Sequence, residues 1–272
     1  MPAAALPEEW EKNSMGESIV VTSGKGGAGK TTTTANLGAA LAGLGKNVIL
    51  VDTDLGLRNL DLLLGMENRI VYNLLDVING SCRIDLALIR DDRYKSLYFL
   101  PAPQMKDKNA VTPEQMKELA ITLKERADYV LLDCPAGIEQ GFYNAAAGAD
   151  RALAVTIPEV SSVRDSDRVI RLLEEMDVRD CSLILNRVQP DLIRKGYQLS
   201  TESIEEIIPS KIIGIIPEDP EILIASSKGT PLSAQSGPAG KAFENTARRI
   251  MGEDIPFLRS SGKKRRWFGR RV

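Results

Sequence analysis

Residues 24–31 carry the side chains and backbone best suited to hold a phosphate. They read G-K-G-G-A-G-K-T and fit the pattern G-x-x-x-x-G-K-[ST], between an apolar run and a segment of helical composition. Glycines let successive backbone N–H groups turn toward an anion, and the start of a helix adds partial positive charge. Lys30 would supply a cation for the β and γ phosphates, and the Thr31 hydroxyl would bind Mg²⁺. The alternative, a glycine turn that only closes a strand–helix unit, does not account for the full match.

Three aspartates stand at the ends of apolar runs, where they could complete such a site. Asp52 and Asp54 close the run in V-D-T-D, and Asp133 closes Y-V-L-L-D. A carboxylate at the carboxyl edge of a parallel sheet, beside a phosphate loop, is suited to hold Mg²⁺ through water. We therefore predict Thr31, Asp52 and Asp133 as the metal site. Taken singly, each aspartate could instead be a helix cap or a turn residue.

The composition excludes several other chemistries. The chain of 272 residues has no histidine, so a Ser-His-Asp triad and a histidine-bound metal are impossible. Its three cysteines are far apart, which argues against a zinc ribbon and against a disulfide framework, and fits a reducing cytoplasm. No apolar run approaches the ~20 residues of a membrane-spanning helix. Chemistry must come from carboxylates, lysines, backbone amides and bound Mg²⁺.

Apolar runs alternate with helical segments along the chain, and this alternation predicts the elements that position the site. The fold class expected is a P-loop NTPase-type three-layer α/β/α fold with a mostly parallel twisted sheet. We predict strands at 18–23, 47–52, 97–100, 129–133, 151–157, 182–186 and 211–216. We predict helices at 30–44, 113–126, 162–177, 201–207 and 238–251. The expected organisation is a disordered lead-in (1–15), one ATPase domain (16–256) and a basic tail (257–272).

A second lysine inside the phosphate loop, Lys25, points to a particular family. The run K-G-G-A-G-K-T-T resembles the deviant Walker A (ParA/MinD) family of P-loop ATPases. The resemblance implies ATP and Mg²⁺ as cofactors and a homodimer when ATP is bound, with Lys25 reaching the partner's nucleotide. It also implies Lys25, Lys30 and Asp54 as catalytic residues, Asp54 by orienting the attacking water. The alternative for Lys25 is a surface lysine that points to solvent.

The same resemblance assigns the contacts to the base and the ribose. Asn186 follows an apolar run, and an amide that donates and accepts at once suits adenine; the alternative is a turn residue at a strand end. Glu159 is implied near the ribose, and the loop at 216–219 near the base. The nucleotide-binding residues predicted are Gly24, Lys25, Gly26, Gly27, Ala28, Gly29, Lys30, Thr31, Thr32, Glu159, Asn186, Arg187, Pro217 and Glu218.

Three further segments resemble the branch of this family that positions the division septum. These are D-L-G-L-R-N-L-D at 54–61, P-A-G-I-E at 135–139, and residues 159–168. Partition ATPases typically carry D-x-D-P-Q in the first of them. The resemblance implies an ATPase that binds the inner membrane, recruits a MinC-like division inhibitor and answers a MinE-like or other topological factor. The alternatives are a ParA-type DNA partition ATPase and an iron–sulfur electron donor; the cysteine arrangement argues against the electron donor.

The last 14 residues are strongly basic. Residues 259–272 hold seven Lys or Arg and no acid, which leaves 28 basic against 37 acidic residues in the rest of the chain. Because the rest of the chain is acidic, we do not expect one face of the folded protein to bind along DNA. The resemblance implies an amphipathic, membrane-inserting tail on an anionic surface, with Trp267, Phe268 and Val272 as the inserting residues, although Gly269 interrupts it. The alternatives are a disordered solubilising tail and a nucleic-acid contact.

Overall fold

The computed structural model describes residues 15–56, 58–104 and 110–258. Its strands are β1 (Glu17–Thr22), β2 (Val48–Asp52), β3 (Ile89–Arg90), β4 (Leu97–Leu100), β5 (Tyr129–Asp133), β6 (Arg151–Thr156), β7 (Asp180–Val188) and β8 (Ile212–Pro217). Its helices are α1 (Lys30–Gly43), α2 (Leu60–Leu64), α3 (Leu74–Ile78), α4 (Ile84–Ala87), α5 (Pro113–Lys124), α6 (Gln140–Ala147), α7 (Val160–Glu175), α8 (Pro190–Arg194), α9 (Thr201–Ile207), α10 (Pro220–Ser227) and α11 (Gly237–Ile250), with a 3-10 turn at Glu67–Arg69.

The strands form one sheet in the order β3-β4-β2-β5-β1-β6-β7-β8. All neighbouring pairs are parallel except β3 with β4. Alternate strand residues enter two separate apolar clusters, because successive side chains of a strand point to opposite faces. Ile19 and Leu50 pack in the cluster with α1 and α11, whereas Val20 and Ile49 pack in the cluster with α5, α6 and α7. The three-layer α/β/α prediction is confirmed.

The predicted strands and helices all form, with shifted ends. β7 runs from Asp180 to Val188, two residues beyond the predicted strand at each end, and so takes in Arg187. Sequence analysis missed the two-residue strand β3 and the short helices α2, α3, α4, α6, α8 and α10. Elements of two to eight residues contain too few turns to display an apolar period. The part of the chain that the structure describes contains no helix long and apolar enough to span a membrane.

The last described residues are fastened to the amino edge of the sheet by Arg249 on α11. Its Nε donates to the Ile255 carbonyl at 2.8 Å, and its Nη1 donates to the Ile213 carbonyl at 2.9 Å. The guanidinium carbon lies 4.2 Å from the ring centroid of Phe257. Residues 1–14 of the predicted lead-in and 259–272 of the predicted tail, with Trp267, Phe268 and Val272, lie outside the described residues. Those assignments stay predictions.

Candidate nucleotide-binding site

The phosphate loop joins β1 to α1 at the carboxyl edge of the sheet. Gly27 and Gly29 adopt φ of +81° and +97°, values that favour glycine, and Gly29 directly precedes α1. The first turn of α1 contains no acidic residue, so nothing there offsets the partial positive charge of the helix start. Thr31 and Thr32 lie in that turn and are half-buried. The loop therefore has the backbone shape and the charge of an anion site.

The two lysines of the loop have different surroundings. Lys30 is buried, with 7% of its surface exposed, and its Nζ donates to Ser23 Oγ at 3.1 Å. Ser23 Oγ in turn donates to the carbonyl of Lys25 at 2.8 Å. The Ser23 hydroxyl therefore links the end of the loop, at Lys30, to its start. The Lys25 residue is exposed. Ser23 was not predicted, because it precedes the motif and the pattern does not include it.

Two glycines of the loop are required by packing against distant elements. A Cβ on Gly24 would lie 2.2 Å from the backbone carbonyl carbon of Asp165 in α7. A Cβ on Gly29 would lie 2.3 Å from Asn186 Nδ2 in β7. A Cβ on Gly26 would meet no atom within 4 Å. The loop therefore packs against α7 and β7 at Gly24 and Gly29, whereas it is open at Gly26.

Asp52 and Asp133 lie side by side at the ends of β2 and β5, where they are in register. Both are buried, with 1% and 3% of their surfaces exposed. Burial raises the pKa of Asp133 to about 6, against the effects of hydrogen bonds from Thr31 and Thr34 and the charge of Lys30. Burial, and then the charge of Asp133, raise the pKa of Asp52 well above its usual value. The structure thus brings two buried carboxylates together, and the charge of one adds to the effect of burial on the pKa of the other.

The oxygens of these two carboxylates have different partners. Asp133 Oδ1 accepts a hydrogen bond from Thr34 Oγ1 at 3.0 Å. Asp52 accepts from the backbone N–H groups of Asp54 at 3.0 Å and Leu60 at 3.4 Å, one on each oxygen. Asp52 therefore organises the switch segment, residues 54–61, and its direct binding of a metal stays a prediction. The Thr34 contact joins residues 99 positions apart, and no local pattern announces it.

Asp54, the predicted water-orienting residue, is half-buried at the start of the switch segment. It borders a small cleft whose other wall includes Pro135 and Glu139. Further along the segment, Arg58 Nε donates to the buried Asp61 at 2.7 Å. The structure thus places Asp54 in the loop that Asp52 holds, at the same sheet edge as Asp133.

The residues predicted to contact the base also lie at the carboxyl edge. Asn186 is buried inside β7, in the stretch from Leu185 to Val188 where the pairing with β8 is irregular. Its Nδ2 donates to the carbonyl of Ala28 at 2.8 Å, while its Oδ1 is buried without a hydrogen-bond partner in the described part of the chain. A buried acceptor left without a donor is costly, so a ligand that donates would be stabilised there.

The remaining predicted contacts form a rim around Asn186. Arg187 has φ of +54°, and its Nε lies 4.0 Å from Glu218 Oε2. The Glu218 N–H donates to the carbonyl of Val188 at 3.1 Å, next to Pro217 at the end of β8. Glu159 is exposed just before α7. The roles of these residues in binding the base and the ribose stay predictions.

The donor set fits ATP with Mg²⁺. Mg²⁺ keeps several waters and takes oxygen ligands from substrate phosphates and one or two protein groups. Thr31 and Asp133 supply such groups beside an anion-binding loop. Within residues 15–56, 58–104 and 110–258 there is no cluster of three or more Asp, Glu, Cys or His side chains that could hold a metal alone.

Comparison with known proteins identifies the family. The model of the CobQ/CobB/MinD/ParA nucleotide binding domain matches residues 19–232. The septum site-determining protein MinD of Synechocystis is 54% identical over 246 residues, 90% of this chain and 92% of that protein.

Solved structures agree in fold as well as in sequence. A chain of the Aquifex aeolicus MinC:MinD cell division protein complex has a TM-score of 0.82 and 49% identity, covering 89% of this chain and 99% of that one. Pyrococcus horikoshii MinD, solved in complex with Mg-ADP, has a TM-score of 0.78 and 31% identity, covering 87% and 96%. The phosphate loop, its second lysine and these relatives together show that the chain belongs to the MinD branch of the CobQ/CobB/MinD/ParA nucleotide-binding family.

Proposed function

We propose that this protein is a Mg²⁺-dependent ATPase that dimerises on ATP, binds the inner face of the cell membrane, and recruits a division inhibitor to place the septum. The observation that carries the ATPase is the buried pair Asp52 and Asp133 beside the buried Lys30 at the phosphate loop. Such a pair destabilises the fold unless a cation or a triphosphate with its metal occupies the site. The site of the Pyrococcus horikoshii relative, solved with Mg-ADP, supports the choice of ligand.

Each side chain then has a defined part in the reaction. Lys30 and the loop N–H groups bind the phosphates, and Thr31 and Asp133 hold Mg²⁺, which supplies positive charge next to the transferred phosphoryl group. Since the pKa of Asp133 is about 6, its carboxylate is largely ionised at neutral pH. Asp54 orients the attacking water, and Asn186 binds the adenine.

Lys25 is the residue that makes hydrolysis depend on a second copy of the chain. Lys25 is exposed and lies next to Gly26, on the open side of the loop. Its carbonyl is fixed by Ser23, so the side chain extends from an anchored position. A cation presented in this way can stabilise charge on the partner's triphosphate, which links hydrolysis to dimerisation.

The basic tail supplies the membrane contact, and dimerisation makes that contact strong enough. Each basic residue near an anionic surface contributes about 1 kcal/mol, and two tails on one dimer gain avidity without new contacts. Monomers released after hydrolysis would then leave the membrane. A MinC-like inhibitor is the proposed cargo, supported by the MinC:MinD complex of Aquifex aeolicus. A MinE-like or other topological factor would stimulate release.

Co-sedimentation with anionic liposomes tests this proposal, with a parallel double-stranded DNA shift, each in Mg·ATP and in Mg·ADP. The expected result is pelleting with lipid in ATP only and no DNA shift. Lys25→Ala should abolish the ATP dependence of pelleting and leave ADP binding intact. Lys211→Ala, an exposed lysine at the opposite edge of the sheet, should behave as the wild type.

A chain truncated after Ser261 tests the tail itself. It should dimerise with ATP and no longer pellet with lipid. Membrane recruitment that survives the truncation contradicts the tail as the anchor. An ATP-dependent DNA shift without pelleting contradicts the membrane function and indicates a partition ATPase.

A further inference from the structure

Arg93, in the turn before β4, binds the carboxyl ends of two helices at once. Its Nη2 donates to the carbonyl of Leu64, the last residue of α2, at 2.8 Å. Its Nη1 donates to the carbonyl of Gly229, two residues beyond α10, at 2.9 Å. Helix ends leave carbonyls without intrahelical partners, and a cation there is favourable. The guanidinium therefore fastens α2 to α10.

Arg93 is itself held in place by Asp91. Its Nε and Nη2 donate to the two oxygens of that carboxylate at 3.1 and 2.6 Å, a paired geometry that fixes the guanidinium plane. Burial alone would raise the pKa of Asp91, but the hydrogen bonds from Arg93 and from the N–H groups of Tyr94 and Arg93 outweigh it, and the pKa is lowered. Asp91 is thus a charged anchor inside the protein.

The backbones joined by Arg93 are in direct contact. Gly65, which ends α2 with φ of +65°, meets Gly229, which has φ of +60°. A Cβ on Gly229 would lie 2.7 Å from the Gly65 Cα, and one on Gly65 would lie 2.9 Å from the Gly229 carbonyl oxygen. Only glycine at both positions lets the two helix ends approach so closely.

The two helices differ in how they are held elsewhere. α10 is tied to α11 through Asp219, whose Oδ1 accepts from Glu221 N at 3.0 Å and whose Oδ2 accepts from Ala239 N at 3.3 Å. α2 has five residues and begins inside the switch segment, where the Leu60 N–H donates to Asp52. The front of α2 is therefore held by a residue of the nucleotide site, and its rear by Arg93.

We propose that Arg93 is a positioning residue for ATP hydrolysis. It holds the rear of α2 against α10, and thereby keeps the switch segment, with Asp54 at its start, in the geometry that hydrolysis needs. This inference rests on the proposed ATPase function. It predicts that loss of Arg93 impairs turnover more than nucleotide binding, because neither the phosphate loop nor Asn186 is among the hydrogen-bond partners of Arg93.

The test compares Arg93→Ala and Arg93→Lys with the matched control Arg69→Ala. Arg69 also pairs with an aspartate of the same turn, Asp92, at 3.1 Å, but this pair is exposed at the surface. For each full-length variant, kcat and KM for ATP, the Kd for Mg·ADP, and hydrogen exchange at residues 58–64 are measured. Arg93→Ala should lower kcat about 10-fold or more, since small misplacements of reacting groups carry large penalties. The Kd for Mg·ADP should stay within about twofold, and exchange should quicken at 58–64.

Each outcome decides the proposal. Partial recovery of kcat in Arg93→Lys, with Arg69→Ala like the wild type, supports it. Wild-type kcat in Arg93→Ala, or a loss of ADP affinity equal to the loss of kcat with faster exchange throughout the sheet, overturns it. If Arg93→Ala does not fold, the change in kcat is compared with the change in the Kd for Mg·ADP in Arg93→Lys instead. If the wild type hydrolyses no ATP, the proposed function fails, and unchanged exchange at 58–64 in the ADP-bound variant separately overturns the role of Arg93.

Discussion

The two edges of the central sheet hold their charged side chains in different ways. At the amino edge, Lys124 Nζ lies 2.9 and 3.0 Å from the two oxygens of Asp150, and Ser18 donates to the same carboxylate. Burial would raise the pKa of Asp150, but these hydrogen bonds outweigh it and the pKa is lowered. Arg151 lies nearby, 3.1 Å from Glu17 and 2.8 Å from Asp180. The partly exposed carboxylates of Asp150, Glu17 and Asp180 are therefore each paired with a cation of the protein.

At the carboxyl edge, two carboxylates and one amide oxygen are buried in surroundings that do not favour them. Asp52 and Asp133 adjoin each other with raised pKa values, and Asn186 Oδ1 has no donor among the described residues. The carboxylates of Asp150, Glu17 and Asp180 thus form ion pairs at the amino edge, whereas Asp52 and Asp133 lie next to each other at the carboxyl edge. The difference teaches that the carboxyl edge is built for a bound ligand, because stability alone would favour the arrangement of the amino edge.

The largest expected effect is a loss of ATP turnover when a lysine is removed at the carboxyl edge, compared with removal of a lysine at the amino edge. Lys30→Ala should lower ATP turnover about 10²–10³-fold, the usual loss when a preorganised cation or donor is deleted from an active site. Lys124→Ala should leave turnover unchanged and lower the free energy of unfolding by about 1 kcal/mol. Steady-state hydrolysis and urea unfolding of both variants provide the measurement. Equal losses of turnover in the two variants would contradict the contrast between the edges.

The next effect is the stability of the ligand-free protein after one carboxylate is neutralised. The pKa of Asp133 in the folded protein is about 6, above its ordinary 3.8. Protonated Asp133 therefore contributes to the free energy of unfolding below about pH 4, and this contribution is lost as pH rises through 6. Asp133→Asn removes the buried charge, and should stabilise the protein at pH 8 by up to about 3 kcal/mol. The gain should vanish toward pH 4, and Mg²⁺-dependent ATP binding should be lost at every pH.

Asp150→Asn is the matched variant at the other edge, and its sign is opposite. Its lowered pKa means that the carboxylate stabilises the fold at neutral pH and that this stability is lost on acidification. Urea unfolding from about pH 2 to pH 8 measures both variants, because the contribution of Asp150 is lost only below its ordinary pKa. A destabilised Asp133→Asn at pH 8 would show that the carboxyl edge is as well matched as the amino edge.

The smallest effect concerns the glycines that let backbones meet. Gly24→Ala should lower the free energy of unfolding by about 1–3 kcal/mol, because its Cβ would push on the backbone of α7. Gly26→Ala has open space, and should change it by less than about 1 kcal/mol. Gly16→Ala, at the amino edge, would place a Cβ 1.8 Å from the Ala127 carbonyl oxygen, and should destabilise without weakening ADP binding.

Urea unfolding and ADP titration of these three variants separate packing from ligand binding. Gly24→Ala should lower both stability and affinity, since the phosphate loop must shift. A Gly24→Ala variant that keeps wild-type affinity would show that the contact with α7 does not shape the loop.

Local sequence was enough to predict the α/β layers and the position of the phosphate loop between β1 and α1. The β1–loop–α1 unit, Asp133 at the end of β5 and the course of α7 follow from apolar runs, glycines and one motif, all within a few residues of each other. The contacts that tune the site could not be predicted, because they join distant positions. Thr34 meets Asp133, Gly24 meets Asp165, and Arg93 meets Gly229 only once the sheet order is known. No periodicity encodes such pairs.

The fastening of residues 255–257 by Arg249 has a mechanical consequence. A pull on the chain beyond residue 258 would first load the contacts of one guanidinium with Ile255, Phe257 and Ile213. Since Ile213 lies near the start of β8, the force would pass into the ladder between β7 and β8, about 15–20 Å along the strand from the phosphate loop. In a molecule tethered by this end, tension on the attachment would therefore act on the two strands that carry Asn186 and Pro217, the predicted contacts to the base.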